Sequence, residues 1–202
     1  GGLGIFLLGM IIMTDGLHAL AGHQMRSALI GFTRTPISGA IMGTGCTAIL
    51  QSSSATTVAA VGFVGAGLMS FPNALGVIFG ANIGTTVTGW LVALLGFKLK
   101  ITLLALPVIF IGVLMRLFTE GRTASIGLAL AGFGLIFVGI NQMQESMLSL
   151  RGIISFDQLA ADSLIGRLKL VALGIVFTLI TQSSSAGVAA TLTALNAGML
   201  QF

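Results

Sequence analysis

Long apolar stretches follow one another along this chain, and they restrict its fold more than any other feature does. Residues 2–21, 101–118 and 124–149 each offer about 18 to 26 mostly apolar residues, roughly what a helix needs to cross a ~30 Å hydrocarbon core. Charged residues make up 7% of the 202 residues, too few to cover a water-facing surface. The pattern therefore predicts an all-α integral membrane protein that passes several times through a cell membrane.

The pentapeptide Gln-Ser-Ser-Ser-Ala occurs twice, beginning at Gln51 and at Gln182, and each time it separates two short apolar arms. The arms within residues 37–71 would reach only about 21–24 Å as helices, less than the ~30 Å core. We expect each pair of arms to form a re-entrant hairpin with its polar tip inside the membrane. A kinked pair of thin spans is the alternative. Because serine is a favoured N-cap, Ser53 or Ser54 is expected to start the second helix.

The two pentapeptides belong to a longer internal repeat. The shift that places Gln51 on Gln182 also aligns Gly67 with Gly198 and Phe71 with Phe202. Three predicted membrane crossings precede the second repeat. After an odd number of crossings, the second repeat enters the membrane from the opposite side to the first. We therefore predict inverted-topology repeats, as in many secondary transporters. We predict repeat 1 over residues 1–96, a linking span and turn over 97–123, and repeat 2 over 124–202.

Residues 73–96 are long enough to cross, but Gly-Ala-Asn-Ile-Gly-Thr-Thr lies in their middle at residues 80–86. Glycine, asparagine and threonine are weak helix formers, so we predict a broken transmembrane helix here. Close helix packing through the glycines is the alternative. The counterpart break of the second repeat is expected near position 211, beyond Phe202. Residues 23–36 are predicted as an interfacial helix, residues 151–169 as an interfacial link, and residues 120–123 as a turn.

The doubled serine run favours an anion site. A helix N-terminus presents free N–H groups and partial positive charge, and serine hydroxyls add neutral donors that bind an anion without trapping it. Two such tips from opposed repeats are expected to converge on one anion. Serines that only bond a backbone carbonyl or join helices are the structural alternative. The candidate phosphate-binding residues are Gln51, Ser52, Ser53, Ser54, Gln182, Ser183, Ser184 and Ser185.

Hydroxyl and carbonyl oxygens also suit sodium, which prefers hard oxygen ligands. The candidate sodium ligands are Ser53, Asn82, Thr85, Thr86 and Ser184. Asp15 and Glu145 are the acidic residues nearest the membrane interior and are candidates for an ion pathway, with a structural anchor as the alternative. Asn141 is a candidate for the same pathway, and a helix–helix hydrogen bond is its alternative.

Other function classes find no support in the sequence. The two histidines, His18 and His23, have no carboxylate or thiolate support for a metal site, and Cys46 is the only cysteine. The sequence shows no Ser/His/Asp order in a context that would predict an enzyme. It also shows no basic patch that would predict nucleic-acid binding. We therefore expect no cofactor, and sodium as the only metal ion.

The paired Gln-Ser-Ser-Ser motifs, with Gly-Ala-Asn-Ile-Gly-Thr-Thr after the first, resemble the sodium/phosphate cotransporter family, the type II kind also found in bacteria. The resemblance covers essentially the whole chain. It implies sodium-coupled transport of inorganic phosphate, with both Gln-Ser-Ser-Ser motifs building the sites and Asn82, Thr85 and Thr86 completing them. A transporter or channel for another small anion, such as sulfate or a carboxylate, and a non-transporting membrane scaffold are the alternatives. The oligomeric state stays open, with a homodimer as one candidate.

Overall fold

The computed structural model describes residues 1–98, 102–150 and 164–198, which form helices and include no strand. The helices are α1 (Gly2–Phe32), α2 (Pro36–Leu50), α3 (Ser53–Gly65), α4 (Phe71–Leu91), α5 (Thr102–Phe118), α6 (Gly121–Leu150), α7 (Leu164–Thr181) and α8 (Ser184–Asn196), and the π-helical segment Val92–Lys98 extends α4. Within these ranges, four helical stretches are long and apolar enough to cross a membrane: Gly2–Phe32, Phe71–Gly96, Gly121–Ser149 and Leu164–Thr181. The prediction of an all-α membrane protein is confirmed.

Helices α1 and α6 pack side by side with their backbones almost touching. A Cβ atom at Gly9 would lie 2.6 Å from the Ile136 amide nitrogen, and one at Gly132 would lie 2.6 Å from the Gly9 carbonyl oxygen, so only glycine fits. Gly2 meets Gly139 in the same way. Residue numbers on α6 decrease as those of their contact partners on α1 increase, so the two helices are antiparallel.

Helices α2 and α4 run in the same direction and are packed just as closely. A Cβ atom at Gly84 would lie 2.5 Å from the Thr44 carbonyl oxygen, and one at Gly80 would collide with the Ala40 carbonyl. The Thr44 hydroxyl donates to the Gly80 carbonyl at 3.0 Å, which joins the two backbones. These glycines permit close helix packing.

The helix break predicted at residues 80–86 is therefore wrong, because α4 is continuous from Phe71 to Leu91. The low helix propensity of glycine and threonine amounts to less than about 1 kcal/mol per residue, and the packing against α2 outweighs it. The alternative, close packing through glycine, describes this segment.

Two further boundaries differ from the predictions. The separate interfacial helix over residues 23–36 is wrong, because α1 continues without interruption to Phe32. Thr35 has an extended conformation, as expected for the residue before Pro36, so α1 ends before this point. Thr35 then caps α2 in a capping box with Ser38. The turn over residues 120–123 is shorter than predicted, since α6 begins at Gly121. The link over residues 151–169 lies mostly outside the described residues, and α7 begins at Leu164.

Two buried apolar clusters hold the helices together. One joins α1, α5, α6, α8 and the π-helical segment, and it includes Phe6 and Phe137, with Ala186 and Ala189 of α8 fully buried. The other joins the end of α1 to α2, α3 and α4 around Phe63. Each cluster therefore fixes the helix that follows one of the two Gln-Ser-Ser-Ser segments.

Candidate functional site

The two Gln-Ser-Ser-Ser segments have the same backbone geometry, and we call them the first tip (residues 51–54) and the second tip (residues 182–185). Gln51 and Gln182 adopt the left-handed conformation, with φ of 54° and 51°. Each glutamine ends the helix before it, and its side-chain amide donates back to a carbonyl of that helix: Gln51 to Ala48 at 2.6 Å and Gln182 to Leu179 at 2.7 Å. The predicted interruptions of α2–α3 and α7–α8 are confirmed at these tips.

The N-caps lie one residue earlier than predicted. Ser52, not Ser53 or Ser54, caps α3, and its hydroxyl accepts from the Ala55 N–H at 3.2 Å; Ser183 caps α8 in the same way. Ser52 and Ser183 directly follow the left-handed glutamines and are extended, with φ of −139° and −144°, which is the conformation of an N-cap.

Each tip consequently offers unused donors. Within the described part of the chain, no acceptor binds the N–H groups or the hydroxyls of residues 53, 54, 184 and 185. These groups lie at the first turns of α3 and α8, where the partial positive charge of the helix dipole is concentrated. Free N–H and O–H donors at a helix start suit an anion.

One pocket brings the second tip against α4. It has a volume of about 490 Å³, and its polar lining consists of Ser184 and Ser185 from α8 and Asn82, Thr85 and Thr86 from α4. Ser185 is only 8% exposed. The remaining walls come from apolar side chains and Gly89. The pocket thus assembles five of the predicted site residues from two distant parts of the sequence.

The two sides of this pocket differ in their free hydrogen-bonding capacity. The Thr85 hydroxyl donates its proton to the Ala81 carbonyl at 3.0 Å, and the Thr86 hydroxyl donates to the Ile83 carbonyl at 2.7 Å. Their oxygen lone pairs remain available as acceptors. The α8 side therefore supplies donors for an anion, whereas the α4 side supplies oxygens for a cation.

The first tip reaches α4 at a neighbouring point. The Thr88 hydroxyl donates to Gln51 Oε1 at 2.7 Å, and Thr88 is 6% exposed. Thr88 lies one helical turn after Thr85, so α4 contacts both tips. The pocket itself is lined by the second tip and by none of residues 51–54. No hydrogen bond between described residues joins the two tips directly.

Replacing Thr88 with valine should destabilise the protein. The change keeps the shape of the side chain but leaves the half-buried Gln51 oxygen without its donor, which costs about 1–3 kcal/mol. Denaturant unfolding in detergent micelles measures the loss. Thr191→Val on α8 is the control, because its exposed hydroxyl only donates to Gly187 within the same helix. Equal stability of the two variants would show that Thr88 does not fix the first tip.

The predicted ion-pathway residues lie elsewhere. Asp15 and Glu145 are exposed, and Asn141 donates to the Glu145 carboxylate at 2.8 Å along α6. None of the three lines the pocket between α4 and α8. Their role in an ion pathway stays a prediction.

Thr88 is one of two residues that sequence reasoning missed. The signal for it was present, since Thr85 and Thr88 are three residues apart and share one face of a continuous helix. The prediction of a break at residues 80–86 concealed this face. Thr47 was missed as well; it is buried in α2 and its hydroxyl donates to that of Thr56 at 3.0 Å, which ties α2 to α3.

Comparisons with known proteins find a matching family model and several similar proteins. The family model described as Na+/Pi-cotransporter matches residues 5–145. The uncharacterized protein YqeW of Bacillus subtilis is 31% identical over 201 residues, or 96% of this chain and 62% of the relative. The putative inorganic phosphate export protein YjbB of Escherichia coli is 29% identical over 203 residues, covering 98% of this chain and 36% of the relative.

A mammalian protein is also similar over part of the chain. The sodium-dependent phosphate transport protein 2A of Rattus norvegicus is 32% identical over 98 residues, which is 47% of this chain and 15% of the relative. The chain spans less than two thirds of the length of each of these relatives. No solved structure matches it.

Proposed function

The chain belongs to the Na+/Pi-cotransporter family, and we propose that it acts in sodium-coupled secondary transport of inorganic phosphate across the cell membrane. The family is one of transporters and not an enzyme family. The observation that carries the proposal is the pocket in which Ser184 and Ser185 face Thr85 and Thr86. The names of two relatives point the same way, one to phosphate export and one to sodium-dependent phosphate transport.

Phosphate is assigned to the donor side of the pocket. The free N–H groups and hydroxyls of Ser184 and Ser185 would bind phosphate oxygens, with the positive end of α8 directed at the charge. No lysine or arginine lines the pocket among the described residues. Neutral donors suit a cargo that has to be released again, because they do not form a salt bridge with it.

Sodium is assigned to the acceptor side. The threonine oxygens and the Asn82 side chain are hard ligands of the kind that sodium takes. A bound cation would offset phosphate charge in an apolar pocket, where an isolated ion is costly. It would also reduce the work against the membrane potential, which is about 2.3 kcal/mol per charge per 100 mV.

Alternating access between inverted repeats is the proposed mechanism. The antiparallel pair α1 and α6 supports it, because Gly2 meets Gly139 while Gly9 meets Gly132. In this part of the repeat the shift is 130 residues, one fewer than between Gln51 and Gln182, and it aligns Gly2 with Gly132 and Gly9 with Gly139. Such an exchange is what a two-fold axis between equivalent helices produces. In this proposal the tips belong to re-entrant hairpins that move against α1 and α6. The division into residues 1–96, 97–123 and 124–202 stays a prediction.

Radiolabelled phosphate uptake into vesicles carrying the protein tests the function. We expect uptake to fall to the level of empty vesicles when choline replaces sodium, because the α4 oxygens then lack the ion that offsets the phosphate charge. Equal uptake in sodium and choline would reject sodium coupling. Stronger competition by sulfate or succinate than by unlabelled phosphate would reject phosphate as the cargo.

A further inference from the structure

A second cavity lies on the other side of the first tip, and we call it the α1–α3 cavity. It has a volume of about 500 Å³, is partly open, and is lined by one face of α1, by Leu50 at the end of α2 and by α3 from Ala55 to Gly62. Its lining includes Ala55, the residue that directly follows the first tip. In the described part of the chain, the pocket between α4 and α8 shares no lining residue with it.

Two nitrogen-bearing side chains of α1 line the α1–α3 cavity, His18 and Arg26. They lie about two turns apart on one face of the helix, a rise of roughly 12 Å. His18 Nε2 is buried and has no hydrogen-bond partner among the described residues. A buried polar atom without a partner costs free energy, and it is satisfied once a bound ligand or water supplies one.

Arg26 is exposed, and its guanidinium contacts α3. It lies over the Phe63 ring, 5.4 Å from the ring centroid, in a cation–π contact that orients the group without neutralising it. The lining residues in the described part of the chain include no carboxylate. The start of α3 adds the positive end of a helix dipole beside Ala55. The α1–α3 cavity therefore combines positive charge, free donors and room.

Glycine keeps this room open. Gly22 lies between His18 and Arg26 on α1, and Gly62 lines the opposite wall on α3. A Cβ atom added at either position would meet nothing within 4 Å. Substitutions at Gly22 therefore enter the cavity without forcing the helices apart.

We infer that the α1–α3 cavity is an oxyanion site, in which Arg26 and His18 bind a phosphate group next to the first tip. The inference rests on the proposed function in one respect: inorganic phosphate is the oxyanion that such a transporter encounters. An anionic lipid headgroup presents the same chemistry, so the experiment has to separate these two sources.

Thiol modification at Gly22 tests this site directly. The variant Gly22→Cys is treated with a negatively charged thiol reagent in phosphate-free maltoside micelles, with and without inorganic phosphate. Modification should slow about tenfold once phosphate exceeds its Kd about tenfold, because the bound anion blocks and repels the reagent. The only native cysteine, Cys46, is buried. Gly4→Cys on α1 is the matched control, since Gly4 also has open space but lies outside the cavity.

The outcomes distinguish the source of the phosphate group. Protection by inorganic phosphate in lipid-free micelles supports a site for the free ion, and protection by phosphatidylglycerol alone supports a headgroup site. Arg26→Gln should remove either protection. Absence of both protections, or protection that persists when Arg26→Gln and His18→Ala are combined, would overturn the inference. Protection without sodium-dependent uptake would reject only the proposed transport, whereas uptake without protection would reject only this site.

Discussion

Replacing Ser184 and Ser185 together with alanine is expected to lower phosphate transport at least about tenfold, since each hydroxyl that bonds a charged ligand contributes about 1.5–3 kcal/mol. Among the described residues, both hydroxyls lack a hydrogen-bond partner, and both residues line the pocket beside Thr85 and Thr86. Without these hydroxyls, the phosphate oxygens that they would bind lose their hydrogen-bond donors. Radiolabelled uptake in sodium measures the effect, and the KM for phosphate should rise.

The fold should tolerate this change. Alanine is the best helix former, and Ser183, which caps α8, is untouched. Thr191→Ala on the same helix is the matched control, because its hydroxyl donates to the Gly187 carbonyl and does not line the pocket. Wild-type uptake by the double variant, with normal amounts in the membrane, would contradict the assignment of phosphate to the second tip.

Replacing Gly80 with alanine is expected to destabilise the packing of α2 against α4. The new Cβ atom would collide with the Ala40 carbonyl, which is backbone and has no side-chain freedom with which to move away. Forcing a methyl group into a closely packed contact costs typically about 1–3 kcal/mol. Thermal unfolding in micelles should show a lower midpoint, and uptake should fall because α4 carries Thr85 and Thr86.

Gly45→Ala is the control on the neighbouring helix. A Cβ atom at Gly45 meets nothing within 4 Å, so this variant should unfold at or above the wild-type temperature. If Gly80→Ala and Gly45→Ala were equally stable, the close approach of α2 and α4 would not be what holds α4 in place.

Several features could be predicted because they depend on neighbouring residues alone. The interruptions at Gln51 and Gln182 follow from short apolar arms around a polar segment, and serine at the start of each following helix follows from its capping preference. The predicted caps were wrong by one residue. The pentapeptide does not show that its glutamine is left-handed and that the serine directly after it is the cap.

Five of the predicted candidate residues line one pocket, but their arrangement on the helices was not predicted. Asn82, Thr85 and Thr86 do meet the second tip, yet they do so on a continuous helix. Thr88, which binds Gln51, was missed for that reason. Which tip lines the pocket depends on how α8 packs against α4, and no local pattern specifies that packing.

The sequence by itself determined that the chain forms apolar helices for a membrane, that its Gln-Ser-Ser-Ser segments interrupt them, and that these segments expose donors at helix starts. These properties arise from solvation, capping and length, which act over a few residues. Only the tertiary structure decided what the glycines do. Gly80 weakens an isolated helix but permits close contact with Ala40 once α2 lies beside α4. Whether Gly80 breaks or stabilises its helix therefore depends on a backbone segment forty positions away in the sequence.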